Sequence, residues 1–420
     1  MKYVKLAVVV IFCMLGIALG EGEIRKWTAL DGKSVDASFV KEERGAVSLK
    51  LTNGRTVKIL ARNLSTGDKA YIKDITTPKI EHKLPFEFGS TSKAIPLSKN
   101  DAITYHMFVP ECLKSSQSWP VMFVFDPSGG KPRTLKRYIP GAKRNGWALV
   151  VSVQSANKSK IKIEDSVYAM VDEVIEKYPI DKKRVYASGH SGGSRTAGLL
   201  GEHMKKRDFA GLLANGAGVG YGRVYKQSPK SSIYALCGSN CFNRWDMPKS
   251  LDKIRCRNKK LVIFPGNHDW ASEKYMTEGM TMLTGWFLKD AAKKEVRYRD
   301  ECIRFAKREL TEINALKESA PGKALIWAQL LSELKLPTDL STPARKELSA
   351  LKTNKTALKY LAAEKALDKL MDKHFIVANH ATCFNRADPD ASKAALALAE
   401  KYADTSLAEV FTRLAKPSTK

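Results

Sequence analysis

The chain has 420 residues, room for two or three domains, and an ordinary apolar content that can bury a core. Its formal charge is +27, yet the lysines are scattered, with no basic stripe interleaved with aromatics, so no nucleic-acid partner is expected. An anionic polysaccharide or a charged cell surface fits such a balance, as does a merely basic solvated surface.

The first predicted element is a signal peptide over residues 1–20. Lys2 and Lys5 precede the apolar run Leu6 to Ala18, and Ala18 and Gly20 place small residues three and one before Glu21. The run is short of the ~20 residues a span requires, and no later segment is apolar enough. The protein is therefore expected to be exported, periplasmic or extracellular, without stable membrane insertion. Export permits disulfides among Cys112, Cys237, Cys241, Cys256, Cys302 and Cys383. Cys237 and Cys241 are spaced C-x3-C but lack further zinc ligands at a fitting spacing. A local disulfide, or a bond from Cys241 to Cys256, is expected instead.

Residues 21–78 read as a small β module. Val47, Leu49 and Leu51 alternate with polar residues, as do Val57, Ile59 and Ala61, and Asn53-Gly54 between the two runs signals a hairpin turn. Ser65-x-x-Asp68 opens a short helix in which Tyr71 and Ile72 pack back. Arg25-x-Trp27-Thr28, Gly32-Lys33, Leu60 through Leu64 and Tyr71-Ile72 resemble the SLA-homology (SHD type one) module. The resemblance implies an SH3-like β-barrel and a peptide or cell-surface ligand; a plain structural spacer explains the same residues.

A Pro- and Lys-containing linker follows. Residues 79–290 alternate buried-type strands with amphipathic helices, which predicts an α/β fold with a helix-covered parallel sheet. Strands are expected at Met122–Phe125, Ala148–Ser152, Val185–Ser188, Leu212–Asn215, Ile233–Leu236 and Leu261–Phe264, and a helix at Ser166–Lys177.

Gly189-His190-Ser191-Gly192-Gly193 forms a G-x-S-x-G pattern. By itself the pattern is weak. It gains force from a β-rich run before it, Arg184 to Ala187, and a helix-compatible run after it, Arg195 to Met204. A strand-turn-helix elbow of this kind raises the serine oxygen above the sheet. Of seven histidines, His82 and His106 precede the elbow and His203 lies in the helix after it. His374 and His380 fall far downstream, and His190 adjoins the serine as a pocket residue. That leaves His268, in PGNHDW directly after the last apolar strand. Ser191 is the candidate nucleophile and His268 the candidate base.

VFDPSGG, GWALVVSVQSANKS, YASGHSGGSR and PGNHDW together resemble the exported esterase and polyhydroxybutyrate-depolymerase-like branch of the α/β-hydrolases. The resemblance implies an oxyanion loop at Asp126-Pro-Ser-Gly-Gly130. Backbone N–H groups of Ser128 or Gly129 and of Gly192 would face the oxyanion; an ordinary tight turn would look the same in sequence. Relatives carry the triad acid three residues after a glycine in the loop that follows strand seven. Here Gly238 is followed, three on, by Cys241. Asp246 is the one acid in that loop and is the candidate third member, although it can equally cap the next helix or pair with Arg244. Gly266-Asn-His-Asp269 also matches a metallophosphoesterase motif. Its partner motifs are missing, the one Asp-x-His being Asp372-Lys-His374, so neither metal nor cofactor is expected.

Strands stop after Lys289. Residues 291–420 are rich in Ala, Leu, Lys and Glu at helical spacing and read as an all-helical appendage. Ala394, Leu396, Leu398 and Ala399 share one helix, Ser406-x-x-Glu409 offers a capping box for the next, and the pair resembles a tetratricopeptide-type repeat. The expected activity is hydrolysis of a small ester or an acylated polysaccharide. A serine peptidase using the same site, and a non-catalytic exported binding protein with a decayed hydrolase domain, are the rivals.

Overall fold

The computed structural model describes residues 24–43, 45–76, 84–115, 117–220, 224–375 and 386–418. The expected signal peptide, residues 77–83 of the expected linker and Cys383 lie outside the described residues. The chain divides into two compact units, Met1–Pro78 and Lys79–Lys420.

In the first unit, β1 (Arg25–Thr28), β2 (Ser34–Glu43), β3 (Ala46–Leu51) and β4 (Thr56–Leu60) form an antiparallel meander in chain order. The Asn53-Gly54 turn joins β3 to β4, with Gly54 at φ 82° and Leu51 N–H bonded to Arg55 O at 2.8 Å. An L side chain would be strained at that φ, which is why glycine stands there. A 3-10 turn, Ala61–Asn63, then brings Leu64 back to bridge Ala29, partly closing the sheet on itself. Helix α1 (Thr66–Thr76) is started by Ser65, whose Oγ accepts Asp68 N–H at 3.1 Å. The Asp68 carboxylate in turn holds Thr28 N–H at 2.8 Å and Arg25 at 2.9 Å, so one capping residue fastens the helix to β1. Trp27, Phe39, Val47, Leu49, Leu64 and Ile72 fill the core.

The second unit opens with β5 (Ile95–Leu97), β6 (Asn100–Phe108) and β7 (Trp119–Phe125), then α2 (Pro132–Lys136), α3 (Ile139–Asn145) and β8 (Ala148–Ser152). Next come α4 (Ile163–Lys177), β9 (Ile180–His190), α5 (Gly192–His203), β10 (Gly211–Asn215), β11 (Ser232–Gly238), α6 (Met247–Asp252), β12 (Asn258–Phe264) and α7 (Glu273–Lys294). The sheet order is β12-β11-β10-β9-β7-β8-β6-β5. β6 runs antiparallel to both neighbours, and β7 to β12 are parallel. Eight strands, with the second reversed and the third and fourth exchanged, make an α/β-hydrolase sheet. β7, β8, β10 and β11 are buried along their whole length, as continuous apolar runs in a doubly covered parallel sheet must be.

The helices after Lys289 are α8 (Arg299–Ser319), α9 (Pro321–Glu333), α10 (Thr338–Thr353), α11 (Lys355–His374), α12 (Pro389–Lys401) and α13 (Ala408–Leu414). They form the expected all-helical C-terminal part and pack against the sheet. Leu367, Met371, Phe375 and Phe411 continue the core on the face of α4 and α5, while Phe305, Ile313, Leu325 and Leu331 continue the core beneath α3 and α7. Buried Glu309 of α8 takes Arg144 of the α3 turn at 2.9 Å and Arg308 at 2.7 Å. The capping box expected at Ser406 is not formed. Leu407 is the N-cap of α13, and Thr405 Oγ1 accepts its N–H.

Candidate active site

The elbow lies where β9 meets α5. Ser191 has φ 52° and ψ −117°, and is the one non-glycine residue with positive φ among the described residues. This strained conformation turns the chain within one residue and points the side chain out of the sheet. Its neighbours must be small. A Cβ on Gly193 would fall on the carbonyl of Phe125 in β7, and one on Gly189 would fall on the backbone of Gly193. Ser191 N–H bonds to Asn215 O at 2.9 Å, tying the turn to β10.

His268 lies four residues beyond β12, and its Nε2 is 2.9 Å from Ser191 Oγ. The two residues singled out in sequence are thus brought together. Phe242 and His190 pack on the His268 ring, with centroids at 4.1 and 4.8 Å, and Trp270 lies 5.1 Å from His190. Burial, reinforced by the neighbouring His268 and Arg137, lowers the His190 pKa to about 3, so this ring is a neutral wall of the site.

Asp246 is engaged elsewhere. Its carboxylate faces Arg195 Nη2 at 3.4 Å, and it makes no side-chain cap on α6. The atom at His268 Nδ1 is the sulfur of Cys241, at 3.0 Å. Local backbone geometry puts it there. Cys241 N–H bonds to Gly238 O at 3.0 Å, closing a tight turn at the end of β11. Ser239 and Asn240 N–H then bond to Phe264 O and Gly266 O, both at 2.8 Å, which stitches the Cys241 turn to the His268 loop. The sequence places Cys241 at the acid position but offers no rule by which a thiol would stand in for the acid. Cys237 and Cys241 are free thiols, as are Cys112, Cys256 and Cys302, so the local disulfide expected from the C-x3-C spacing is not formed.

The loop at Asp126 also departs from expectation. Ser128 N–H is bonded to Asp126 Oδ1 at 2.9 Å and Gly129 N–H to Asp126 O at 3.0 Å, while Thr134 Oγ1 donates to Asp126 Oδ2 at 2.9 Å. An aspartate followed by Pro-Ser-Gly, with Gly129 at φ 87°, folds the loop around its own carboxylate. Both expected loop donors are committed there. Gly192, the third expected donor, opens α5 directly after Ser191.

A cleft of about 520 Å³ lies beside this loop, lined by Lys131, Arg133, Lys136, Arg137 and Trp270. Arg137 lies over the Trp270 ring at 4.5 Å. Asp126 and Glu273 also line the cleft, and both attract Arg137. Two further clefts, of about 530 and 700 Å³, lie among α7, α9 and α11; neither they nor the cleft beside the Asp126 loop is lined by Ser191 or His268. No group of side chains suited to a metal ion occurs among the described residues, and no described helix is long and apolar enough to cross a membrane.

Residues 21–80 match the family model described as SLA1 homology domain 1, SHD1. No curated protein sequence matches the chain. Among solved structures, S-formylglutathione hydrolase from Staphylococcus aureus is 16% identical with a TM-score of 0.37, covering 48% of this chain and 100% of its own. Est1E from Butyrivibrio proteoclasticus is 13% identical with a TM-score of 0.35, covering 48% and 100%. A feruloyl esterase module from Clostridium thermocellum, complexed with sinapinate, is 10% identical with a TM-score of 0.37, covering 50% and 91%.

Proposed function

We propose that the protein is a serine hydrolase of carboxylic esters acting through an acyl-enzyme on Ser191. The supporting observation is the 2.9 Å contact between Ser191 Oγ and His268 Nε2 at a strained elbow heading α5. In this reading His268 takes the Ser191 proton as the oxygen attacks the carbonyl, then passes it to the departing alcohol. A water molecule, deprotonated by the same nitrogen, releases the acid. Gly192 N–H and the positive end of α5 face the developing oxyanion, and one such donor is worth about 3 kcal/mol of transition-state stabilisation. No residue of the site calls for a metal or cofactor.

The cleft beside the Asp126 loop, with four cations against the carboxylates of Asp126 and Glu273, favours an ester that carries negative charge, such as an acylated acidic polysaccharide, over a neutral one or a peptide. An exported location and a peptide or cell-surface ligand for the N-terminal module accord with such a substrate. One experiment tests the assignment. The purified protein is treated with an alkyl fluorophosphonate, then assayed on 4-nitrophenyl butyrate and on mono-4-nitrophenyl glutarate. Labelling and turnover are expected, with the anionic ester preferred at low salt, and Ser191→Ala is expected to abolish both. Residual activity in that variant above about a tenth of wild type, little more than 1 kcal/mol of barrier, rules out Ser191 as nucleophile. An unlabelled wild-type protein would favour the non-catalytic reading instead.

A further inference from the structure

We infer that Cys241 is the third member of the catalytic line, acting as a buried thiolate in the place where serine hydrolases carry a carboxylate. The inference rests on the acyl-enzyme reading and assigns a residue that reading leaves open.

Tautomer logic carries the first step. His268 Nε2 can accept the Ser191 proton only if its own proton sits on Nδ1. The group facing Nδ1 must therefore accept a hydrogen bond, and that group is Cys241 Sγ at 3.0 Å. Thiol contacts to carbonyls among the described residues are longer, for instance 3.8 Å from Cys241 to Gly216 O, 3.6 Å from Cys237 to Gly238 O and 3.5 Å from Cys256 to Asn258 O. A short N–H···S contact is what charge assistance produces.

The surroundings supply the second step. Cys241 is fully buried, and beside it lies Arg244, itself 1% exposed. The Arg244 guanidinium donates to two backbone carbonyls, Ser239 O and Lys416 O, and stacks on Trp245 and Phe375, but meets no carboxylate among the described residues. A buried cation of this kind requires a counter-charge. Asp246, the nearest acid in sequence, is turned to Arg195. A thiolate shared between Cys237 and Cys241 is the available anion: burial brings the Arg244 pKa down to about 10, and the two cysteines oppose that fall. Within the thiol pair, burial pushes Cys241 up, but hydrogen bonds from Cys237 and His268 and the His268 charge outweigh it, so Cys241 lies below the ordinary thiol. Burial and the bond to Cys241 push Cys237 well above. Cys237 is thus the S–H donor and Cys241 the acceptor.

The proton balance is simple. Ser191 Oγ loses its proton to His268 Nε2 as the oxygen–carbon bond forms. The imidazolium is held by Nδ1–H···S⁻, and Nε2 gives the proton to the departing alcohol. Cys241 stays deprotonated throughout and forms no covalent bond, which makes it a positioning residue.

The test uses the full chain with Cys241→Ala, Cys241→Ser and Cys241→Asp, assayed on 4-nitrophenyl butyrate, with thermal unfolding followed in parallel. Removing the anionic acceptor is expected to lower kcat by about 10⁴-fold in the Ala variant, and substantially in the Ser variant, which keeps only a neutral acceptor, with little change in KM, by analogy with loss of a triad aspartate. Cys241→Asp is expected to recover kcat to within about tenfold of wild type, a rescue that a packing role would not give. Cys241 lies below the ordinary thiol and serine does not ionise in that range, so activity should fall more steeply on the acid side in wild type than in Cys241→Ser. Retention by folded Cys241→Ala of more than about a tenth of wild-type kcat overturns the inference, as does an equal acid-limb slope in the Ser variant. Fluorophosphonate labelling of wild type separates the two failures: labelled wild type with indifferent cysteine variants leaves the esterase reading standing.

Discussion

At the scale of single residues, the site divides into what side-chain chemistry announces and what only a fold can show. Ser191 and His268 were legible because a nucleophile elbow and a post-strand histidine carry fixed local patterns, and their Oγ···Nε2 contact follows. The third member was half legible. A turn of fixed length after Gly238 marked position 241, but no sequence rule nominates a thiol for a carboxylate's place, and the one acid nearby drew the assignment to Asp246. Its carboxylate instead braces Arg195 of α5. Asp246→Asn is therefore expected to change kcat by less than about tenfold, where loss of a triad aspartate costs about 10⁴-fold. Steady-state kinetics of that variant decide between the two roles.

At the scale of elements, strands and helices of the sheet were legible because continuous apolar runs and helical periodicity have no other use in a doubly covered sheet. Strand ends were less so. The strand read at Val185–Ser188 extends over Ile180–His190, since charged Asp181, Lys182 and Lys183 can sit at its mouth. Asp181 and Arg184 pair there at 2.8 Å, a long-range network with Glu301 of α8 that no local pattern encodes. The junction of β7, β9 and α5 makes a sharper prediction. Gly193 lets α5 start against the Phe125 carbonyl, and neither backbone segment can yield to a methyl group. Gly193→Ala is expected to destabilise the fold by about 3 kcal/mol, at the upper end for an overpacked core, and to abolish labelling of Ser191. Urea unfolding read by circular dichroism checks the first part and a fluorophosphonate assay the second.

At the scale of the whole molecule, the change of composition at Lys289 marks where strands stop, and it suggested a boundary near residue 290. A compact unit is defined by shared core, not by type of element, and the sheet and the later helices share two. Removing α8 to α13 would uncover Met371- and Phe411-facing surface on one side and the Leu283–Phe305 seam on the other. A truncation spanning Lys79–Lys289 is accordingly expected to bind a hydrophobic dye, unfold without cooperativity and show no esterase activity. Cooperative thermal unfolding together with hydrolysis of a small ester would show the sheet to be self-sufficient.

Arg244 reaches across 172 positions of sequence to hold Lys416 O, and in doing so anchors the turn that presents Cys241. The proposed site is therefore completed late in synthesis. A nascent chain halted short of residue 416 already possesses Ser191, His268, the complete sheet and the backbone bonds that stitch the Cys241 turn to the His268 loop, but lacks the carbonyl on which Arg244 closes. The last brace of that turn is set only when a late segment docks on an early loop.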